Sequence, residues 1–267
     1  MVLFALATGS AGPRVAYLHG LFGQGRNWMQ IAKAVSGPAG DQTQALLLDL
    51  PNHGRSSWTE EFSFEAYAAQ VIDTLETATR DEPWTLVGHS LGGKTAMVAA
   101  LQRPDLIERL CVVDIAPRDY GNLHRFSGYV EEMLRLPLDR IRTRAEAEEL
   151  FQESDPAVKA FLLQNLRRSG DSWRWQANLE MVARDIAGEA RMGGWPVTPG
   201  DYPAYPHQVL WLVGADSRYV QDRDSEPMRE LFPRTLQVTI KDAGHWVHSE
   251  QPQIVVHALR RFILGRP

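Results

Sequence analysis

One serine lies in a short motif that would make its hydroxyl a nucleophile. Gly88-His89-Ser90-Leu91-Gly92 reads G-x-S-x-G, between an apolar run at 84–87 and a helix-forming run at 95–101. In a strand, tight turn and helix of this kind the central residue is strained and projects from the end of a parallel sheet. The flanking glycines are needed because a Cβ would strike the neighbouring backbone. The context therefore predicts Ser90 as an activated nucleophile rather than an exposed loop serine.

A serine hydroxyl needs a general base, and that base needs a carboxylate to fix its tautomer. In enzymes with this motif the chain order is serine, acid, histidine, so the base comes last. His245 lies in a glycine-containing loop just after a predicted strand at 236–240. Of the other late histidines, His207 precedes a strand, His257 lies in the final helix, and His248 is more typical of a loop contact. We therefore predict that His245 is the base.

Two aspartates compete for the role of the acid. Asp216 follows a predicted strand at 208–213 and precedes His245, which is the common arrangement. Asp114 follows the strand next to the nucleophile strand and borders the same crevice. Either would serve physically, and the unused one would cap a helix or bond within a loop.

A second glycine-rich loop follows an early strand at 14–18. Its sequence is His19-Gly20-Leu21-Phe22-Gly23, and its glycines leave backbone N–H groups free to face a ligand. The N–H groups of Leu21 and Leu91 would together form an oxyanion hole, the second one at the start of a helix, where the dipole is positive. The alternative is a glycine turn without a catalytic part, and the presence of Ser90 argues against it.

Strands and helices alternate along most of the chain. After an apolar edge strand at 1–7, strands are predicted at 14–18, 45–49, 84–87, 110–113, 208–213 and 236–240, and helices at 26–35, 62–78, 95–101 and 252–264. This alternation predicts an α/β protein with a mostly parallel, doubly wound sheet, whose ligands bind at the carboxyl ends of the strands.

The alternation stops between residues 116 and 195. The pattern there is helical, at 128–136, 144–151, 157–168 and 177–186, which predicts a helical cap of 116–195 inserted into a core of 1–115 and 196–267. The cap carries large apolar side chains, some of which should line a substrate pocket: Tyr120, Phe126, Tyr129, Met133, Phe151, Phe161, Leu162, Trp173 and Trp175.

The composition excludes several classes of protein. The 267 residues carry a net charge of −5 with no Lys/Arg cluster in the sequence, which offers no electrostatic basis for binding nucleic acid or an anionic membrane. The apolar start is too short for a signal core or a span, so we expect a cytoplasmic protein without stable membrane insertion. Cys111 is the only cysteine, and no Cys/His spacing indicates a metal, so neither a metal nor an organic cofactor is expected. The oligomeric state is not predicted.

Five short motifs occur along the chain in this order: His19-Gly20-Leu21-Phe22-Gly23, Asn52-His53-Gly54-Arg55-Ser56, Gly88-His89-Ser90-Leu91-Gly92-Gly93-Lys94, Asp114-Ile115-Ala116-Pro117 and Gly244-His245-Trp246-Val247-His248. Together they resemble the small bacterial α/β-hydrolase esterases related to the mitochondrial abhydrolase-domain lipase-like proteins. The resemblance implies an α/β-hydrolase fold and covers most of the chain except the cap. In such relatives the acid lies in the Asp-Ile-Ala-Pro motif, and the position matching Asp216 is often Asn. This chain has Asp at both positions, and the resemblance favours Asp114.

These residues lead us to expect a serine hydrolase that cleaves small-molecule esters or thioesters of small to medium acyl chains through an acyl-enzyme. A carbon–carbon bond hydrolase or lyase, or a cofactor-free perhydrolase, uses the same serine, histidine and acid. A non-catalytic small-molecule receptor would not need the complete set.

Overall fold

The computed structural model of the protein describes residues 1–79, 82–121, 123–170, 172–188, 191–198 and 200–265. Nine strands are present in this part of the chain: β1 Ala5–Thr8, β2 Arg14–Leu18, β3 Gln44–Leu48, β4 Trp84–His89, β5 Ile107–Val113, β6 Leu166–Ser169, β7 Ser172–Trp175, β8 Gln208–Gly214 and β9 Thr235–Ile240. The described α-helices are α1 Met29–Ser36, α2 Phe64–Ala78, α3 Leu91–Gln102, α4 His124–Arg135, α5 Arg144–Leu150, α6 Pro156–Leu163, α7 Leu179–Ala187, α8 Ser225–Leu231, α9 Val247–Glu250 and α10 Pro252–Leu264.

Seven strands form one sheet in the order β1-β3-β2-β4-β5-β8-β9. Only β1 runs antiparallel, at the edge where the sequence predicts an edge strand, and every other pairing in this sheet is parallel. The register of β4 and β5 pairs His89 with Val113. Ser90 and Asp114, the next residue of each strand, therefore leave the sheet side by side, and the predicted mostly parallel doubly wound sheet is confirmed.

Helices cover both faces of this sheet and bury two apolar clusters. Helices α2 and α3 pack together on one face, and α1 and α10 on the other. Helix α3 is buried along nearly its whole length, which agrees with the small and apolar residues that make up most of its sequence. The helix that begins next to Ser90 is thus held rigidly against the sheet, and so is the turn before it.

The segment between β5 and β8 departs from the prediction at one place. The pattern at 157–168 predicts a helix, but α6 ends at Leu163, and β6 pairs with β7 as an antiparallel hairpin. Leu166 and Trp175 are buried at one end of this hairpin while the residues between them are mostly exposed, and Gly170 allows the turn with a φ of +62°. The expected all-helical character of residues 116–195, which we call the inserted segment, is therefore wrong there. Residues 122, 171, 189 and 190 of that range lie outside the described residues.

Two buried asparagines fasten the inserted segment to the sheet loops. Asn165 Nδ2 donates to the Phe22 carbonyl at 2.8 Å, and its Oδ1 accepts from Gln24 Nε2 at 3.0 Å. Asn178 bonds Asn52 twice, from its backbone N–H and from Nδ2. Because both side chains are buried, each lost hydrogen bond would leave an unsatisfied polar group.

Among the helices that the structure describes, none is both long enough and apolar enough to span a membrane.

Candidate active site

Ser90 occupies the sharp turn between β4 and α3. Its φ is +52°, a conformation that costs energy for a residue with a side chain. A Cβ on Gly88 would lie 2.3 Å from the carbonyl oxygen of Gly92, and one on Gly92 would lie 2.5 Å from that of His19. Both flanking glycines are therefore required by close backbone contacts, and the strained turn that the sequence predicts is present.

A continuous chain of hydrogen bonds joins Ser90, His245 and Asp114. His245 Nε2 lies 3.0 Å from Ser90 Oγ, and His245 Nδ1 lies 2.8 Å from Asp114 Oδ2. With the proton on Nδ1, the imidazole donates to the carboxylate and accepts from the serine hydroxyl. Asp114 is fully buried and the His245 side chain nearly so, which shields this arrangement from water. The geometry allows proton transfer from the hydroxyl to the imidazole.

The two candidate acids occupy different places. Asp114 has a φ of +51° just beyond β5, and besides His245 it accepts from the Gly214 N–H at 3.0 Å and from the Ser217 hydroxyl. Asp216 is exposed, and its backbone N–H donates to the Ala243 carbonyl at 2.9 Å. The loop after β8 thus supplies Ser217 to hold the carboxylate of Asp114, a contact the sequence gives no signal for.

Two further side chains hold His245 from either side. The Tyr219 ring stacks on the imidazole with centroids 3.8 Å apart and planes 18° apart. His89 Nε2 donates to the His245 carbonyl at 2.8 Å. Burial, followed by the nearby His248 and His245, keeps the pKa of His89 well below its usual value, so His89 is neutral and bonds as a fixed tautomer. Neither contact is visible in the sequence, because both join residues far apart in the chain.

The loop from His19 to Gly23 lies against Ser90. A Cβ on Gly20 would be 3.3 Å from Ser90 Cβ and 2.8 Å from His89 Nδ1, so the close approach requires glycine. The Phe22 N–H donates to His53 Nε2 at 3.2 Å, and the Gly23 N–H donates to the Gly20 carbonyl at 2.9 Å.

The two N–H groups proposed from the sequence differ from those neighbours. Among the described residues, neither the Leu21 N–H nor the Leu91 N–H has an acceptor. Leu91 is the first residue of α3, where N–H groups have no partner within the helix. Both are therefore available to a ligand beside Ser90.

Two buried histidines brace the same loop. His19 Nε2 accepts from the Leu50 N–H at 2.9 Å, and its Nδ1 bonds the Gly20 carbonyl at 2.8 Å. Burial lowers the pKa of His19 to about 4, and burial together with the nearby His19 lowers the pKa of His53 to about 3. Both rings are neutral near pH 7, and each accepts from one backbone N–H while donating to a carbonyl.

A cavity of about 440 Å³, which we call the outer cavity, opens onto Ser90 and His245. Three of the large side chains predicted in the inserted segment line this outer cavity: Phe126, Tyr129 and Phe161. Met133, Phe151 and Leu162 are buried in packing instead. Phe22 and Trp246 from the sheet loops complete the aromatic lining, so the cavity suits an apolar ligand.

The remaining candidates lie outside this chain of hydrogen bonds. His248 is stacked on Trp28 with centroids 4.5 Å apart, His207 bonds the Pro104 carbonyl at 3.0 Å, and His257 is exposed on α10. Cys111 is buried within β5. In the part of the chain that the structure describes, no three His, Cys, Asp or Glu side chains are placed to hold a metal ion.

The fold and this site define a class of protein. Residues 13–252 match the model of the alpha/beta hydrolase fold family. The chain therefore belongs to the α/β hydrolase family, as the resemblance of its five motifs implies.

Individual relatives lie within the same family. The chain is 34% identical to a protein of Mus musculus described as sn-1-specific diacylglycerol lipase ABHD11, over 94% of this chain and 81% of that one. It is 28% identical to Esterase YbfF of Escherichia coli, over 93% and 92% of the two chains. Among solved structures, one described as a marine microorganism esterase has a TM-score of 0.90 at 31% identity, covering 98% of this chain and 99% of the other.

Proposed function

We propose that this carboxylesterase-type hydrolase cleaves esters or thioesters of small to medium acyl chains through an acyl-enzyme formed on Ser90. One observation carries the proposal: the hydrogen-bonded chain of Ser90, His245 and Asp114 ends at an apolar cavity, beside two backbone N–H groups without acceptors. The relatives described as esterases and a lipase support the same reaction class.

The first half of the reaction forms the acyl-enzyme. Ser90 Oγ attacks the carbonyl carbon while His245 Nε2 takes the hydroxyl proton. Asp114 holds the imidazole in the tautomer that accepts at Nε2 and stabilises the imidazolium. The N–H groups of Leu21 and Leu91 donate to the oxyanion of the tetrahedral intermediate. As the intermediate collapses, His245 gives its proton to the leaving alcohol or thiol.

The second half releases the acid. His245 removes a proton from water, which attacks the acyl carbonyl, and the second tetrahedral intermediate uses the same two N–H groups. The acid then leaves, and the proton on His245 returns to Ser90. Every step uses side chains and backbone groups of this chain alone.

The role of acid falls to Asp114 rather than Asp216. The Asp114 carboxylate lies 2.8 Å from His245 Nδ1, and Gly214 and Ser217 donate to it as well. These three donors fix the position of the buried carboxylate, and the carboxylate in turn orients the base.

The test combines covalent labelling with hydrolysis. Wild type, Ser90→Ala and Ser249→Ala, which removes another serine that borders the outer cavity, are treated with a fluorophosphonate and with p-nitrophenyl esters. We expect labelling of wild type and of Ser249→Ala but not of Ser90→Ala, whose kcat falls by about 10⁴-fold or more.

Three results would contradict the proposal. Equal labelling of Ser90→Ala would show that Ser90 is not the nucleophile. Turnover of a diketone, or of peroxide with a carboxylic acid, without hydrolysis of any ester or thioester would instead identify a carbon–carbon hydrolase or a perhydrolase. A chain that turns over none of these substrates and takes no label would be a receptor.

A further inference from the structure

Two separate spaces meet at Ser90. Besides the outer cavity there is a smaller one of about 30 Å³, which we call the inner chamber. Leu21, Ser90 and Phe126 border both spaces. Because an ester carbonyl has one substituent on each side, a substrate bound at Ser90 places its acyl chain in one space and its leaving group in the other.

The position of His245 decides which substituent goes where. His245 borders the outer cavity and is absent from the lining of the inner chamber. The leaving oxygen or sulfur must lie near His245 Nε2 to receive its proton. The outer cavity also reaches the exposed residues Asp155 and Glu250, which gives the leaving group a path to solvent. The acyl chain therefore points into the inner chamber.

The inner chamber is small. Since a water-sized group needs about 10–15 Å³ of this kind of volume, a chamber of about 30 Å³ holds two or three groups of that size. Acetyl, propionyl and butyryl chains match this space, and longer chains do not.

One wall of the chamber depends on a buried lysine. Lys94, on the first turns of α3, donates from Nζ to the Gly193 carbonyl at 2.7 Å and also to the Gly194 carbonyl. The Gly193 carbonyl accepts in addition from the Tyr120 N–H at 2.9 Å. These hydrogen bonds of Lys94 therefore fix the position at which the chain enters and leaves the inserted segment. Tyr120, Met192 and Gly193 lie at this position, and they line the chamber.

Burial of the Lys94 side chain removes its ammonium group from water, which costs free energy. Its side chain is almost fully buried, and no carboxylate of the described residues lies within ion-pair distance of Nζ. Its remaining neighbours are the rings of Tyr120 and Phe64, with centroids 4.6 and 5.5 Å from Nζ. Burial, opposed by the nearby Asp119 and helped by Arg118, lowers the pKa of Lys94 to about 7.

We propose that the inner chamber receives the acyl chain and limits its length, and that Lys94 is a positioning residue that keeps the chamber small by holding the Gly193 and Gly194 carbonyls over it. The proposal rests on the proposed function and narrows its substrate class to esters of short acyl chains. Lys94 does not act on the substrate, since its Nζ donates to two carbonyls instead of to Ser90.

The experiment measures kcat and KM for p-nitrophenyl acetate, butyrate and octanoate. The variants are Lys94→Met, which keeps the bulk but loses the donors, and Met192→Ala, which widens the same chamber with Lys94 in place. Phe161→Ala, which changes only the outer cavity, is the matched control. Melting curves show whether each variant is folded.

We expect wild type to cleave acetate and butyrate at least about 10-fold better than octanoate in kcat/KM. Both chamber variants should raise the octanoate-to-acetate ratio by about 10-fold or more, and Phe161→Ala should leave that ratio within about 3-fold. A lysine with a merely structural role would lower the melting temperature without changing the ratio.

The contrary results separate the two proposals. If ester hydrolysis does not depend on Ser90, the proposed function fails and this inference fails with it. If hydrolysis depends on Ser90 but wild type prefers octanoate, or Met192→Ala leaves the ratio unchanged, only the assignment of the chamber is overturned. If Met192→Ala shifts the ratio while a folded Lys94→Met does not, the role of Lys94 is overturned. Should Lys94→Met not fold, Lys94→Gln, which keeps a donor of shorter reach, decides that role by the same ratio.

Discussion

The carboxyl edge of the sheet and the inserted segment contribute to the site in different ways. At the sheet edge, Ser90 and Asp114 follow neighbouring paired strands, and both have a positive φ. The inserted segment contributes aromatic walls such as Phe161 but no member of the hydrogen-bonded chain. The sheet therefore fixes the reacting atoms, whereas the inserted segment determines the shape of the space around them. Substitutions at the edge should therefore change kcat, and those in the segment should change stability or substrate choice.

The largest effect should come from the acid at the sheet edge. We expect Asp114→Asn to lower kcat by about 10⁴-fold, because an amide that donates to Nδ1 favours the wrong tautomer of His245. Asp216→Asn is the matched control and should stay within about 3-fold of wild type, since the Asp216 side chain is exposed. Steady-state hydrolysis of p-nitrophenyl butyrate measures both. A larger loss in Asp216→Asn than in Asp114→Asn would reverse the assignment.

The second largest loss of kcat should come from a change in the loop that carries Leu21. A methyl group at Gly20 would meet the His89 ring at 2.8 Å and Ser90 Cβ at 3.3 Å, so the loop must shift. We expect Gly20→Ala to lower kcat by about 10²-fold, as for the loss of one oxyanion donor. Gly121→Ala, at a glycine with open space around it, controls for glycine loss alone, although its φ of +63° adds strain. An unchanged kcat in a folded Gly20→Ala would show that the loop does not stabilise the oxyanion.

Substitutions in the inserted segment should change the free energy of unfolding. Asn165→Ala removes the hydrogen bonds to the Phe22 carbonyl at 2.8 Å and from the Gln24 amide at 3.0 Å, and leaves each group only a longer contact with Gln164, at 3.4 and 3.5 Å. This loss should reduce the free energy of unfolding by about 1–3 kcal/mol. Urea unfolding measures this change. Arg135→Ala, which removes an exposed ion pair with Glu131 on the same segment, should cost at most about 0.5 kcal/mol. Equal losses in the two variants would mean that Asn165 is not a fastening point.

A buried histidine on the sheet side of the site should also make the free energy of unfolding depend on pH in the acidic range. Burial, and then the nearby His245, lower the pKa of His248 to about 3. In the unfolded chain a histidine takes up a proton below about pH 6.5, whereas folded His248 does not. Its contribution to stability is therefore fully present above pH 6.5 and is lost as the pH falls toward 3.

A substitution that replaces His248 by a side chain without a titratable group tests this prediction. Between pH 7 and pH 5, His248→Phe should lessen the fall in the free energy of unfolding by about 2 kcal/mol. Urea unfolding at the two pH values gives the comparison, with His257→Phe on the exposed side of α10 as the control. A fall as steep in His248→Phe as in wild type would assign the acid sensitivity to other groups.

The sequence predicts a structural feature best where a local pattern of residues follows directly from a steric requirement. The glycines around Ser90 and the alternation of strands and helices are of this kind, because spacing alone encodes them. The hairpin β6–β7 was missed because Arg167 and Arg168 extend an apolar helical run and are good helix formers, while its pairing is settled by burial of Leu166 and Trp175.

The sequence does not predict contacts between residues that are far apart in the chain. The residues alone left Asp114 and Asp216 equivalent, since both follow strands that border one crevice. The choice depends on Ser217 and Gly214, which donate to Asp114 from another loop. The role of His89 depends on His245, 156 residues away, and that of Lys94 on Gly193, 99 residues away. The role of Tyr219 depends on the ring of His245, which belongs to a different loop.

The hydrogen bond between the Tyr120 N–H and the Gly193 carbonyl has an evolutionary consequence. It brings the two ends of the inserted segment together, above strands β5 and β8 that are already paired. The chain therefore leaves and re-enters the core at one place, and the segment is attached elsewhere through side-chain hydrogen bonds such as those of Asn165 and Asn178. We expect that changes in the length of the segment between these attachments leave β5 and β8 in place, so that substrate choice can change during evolution while the reacting atoms keep their positions.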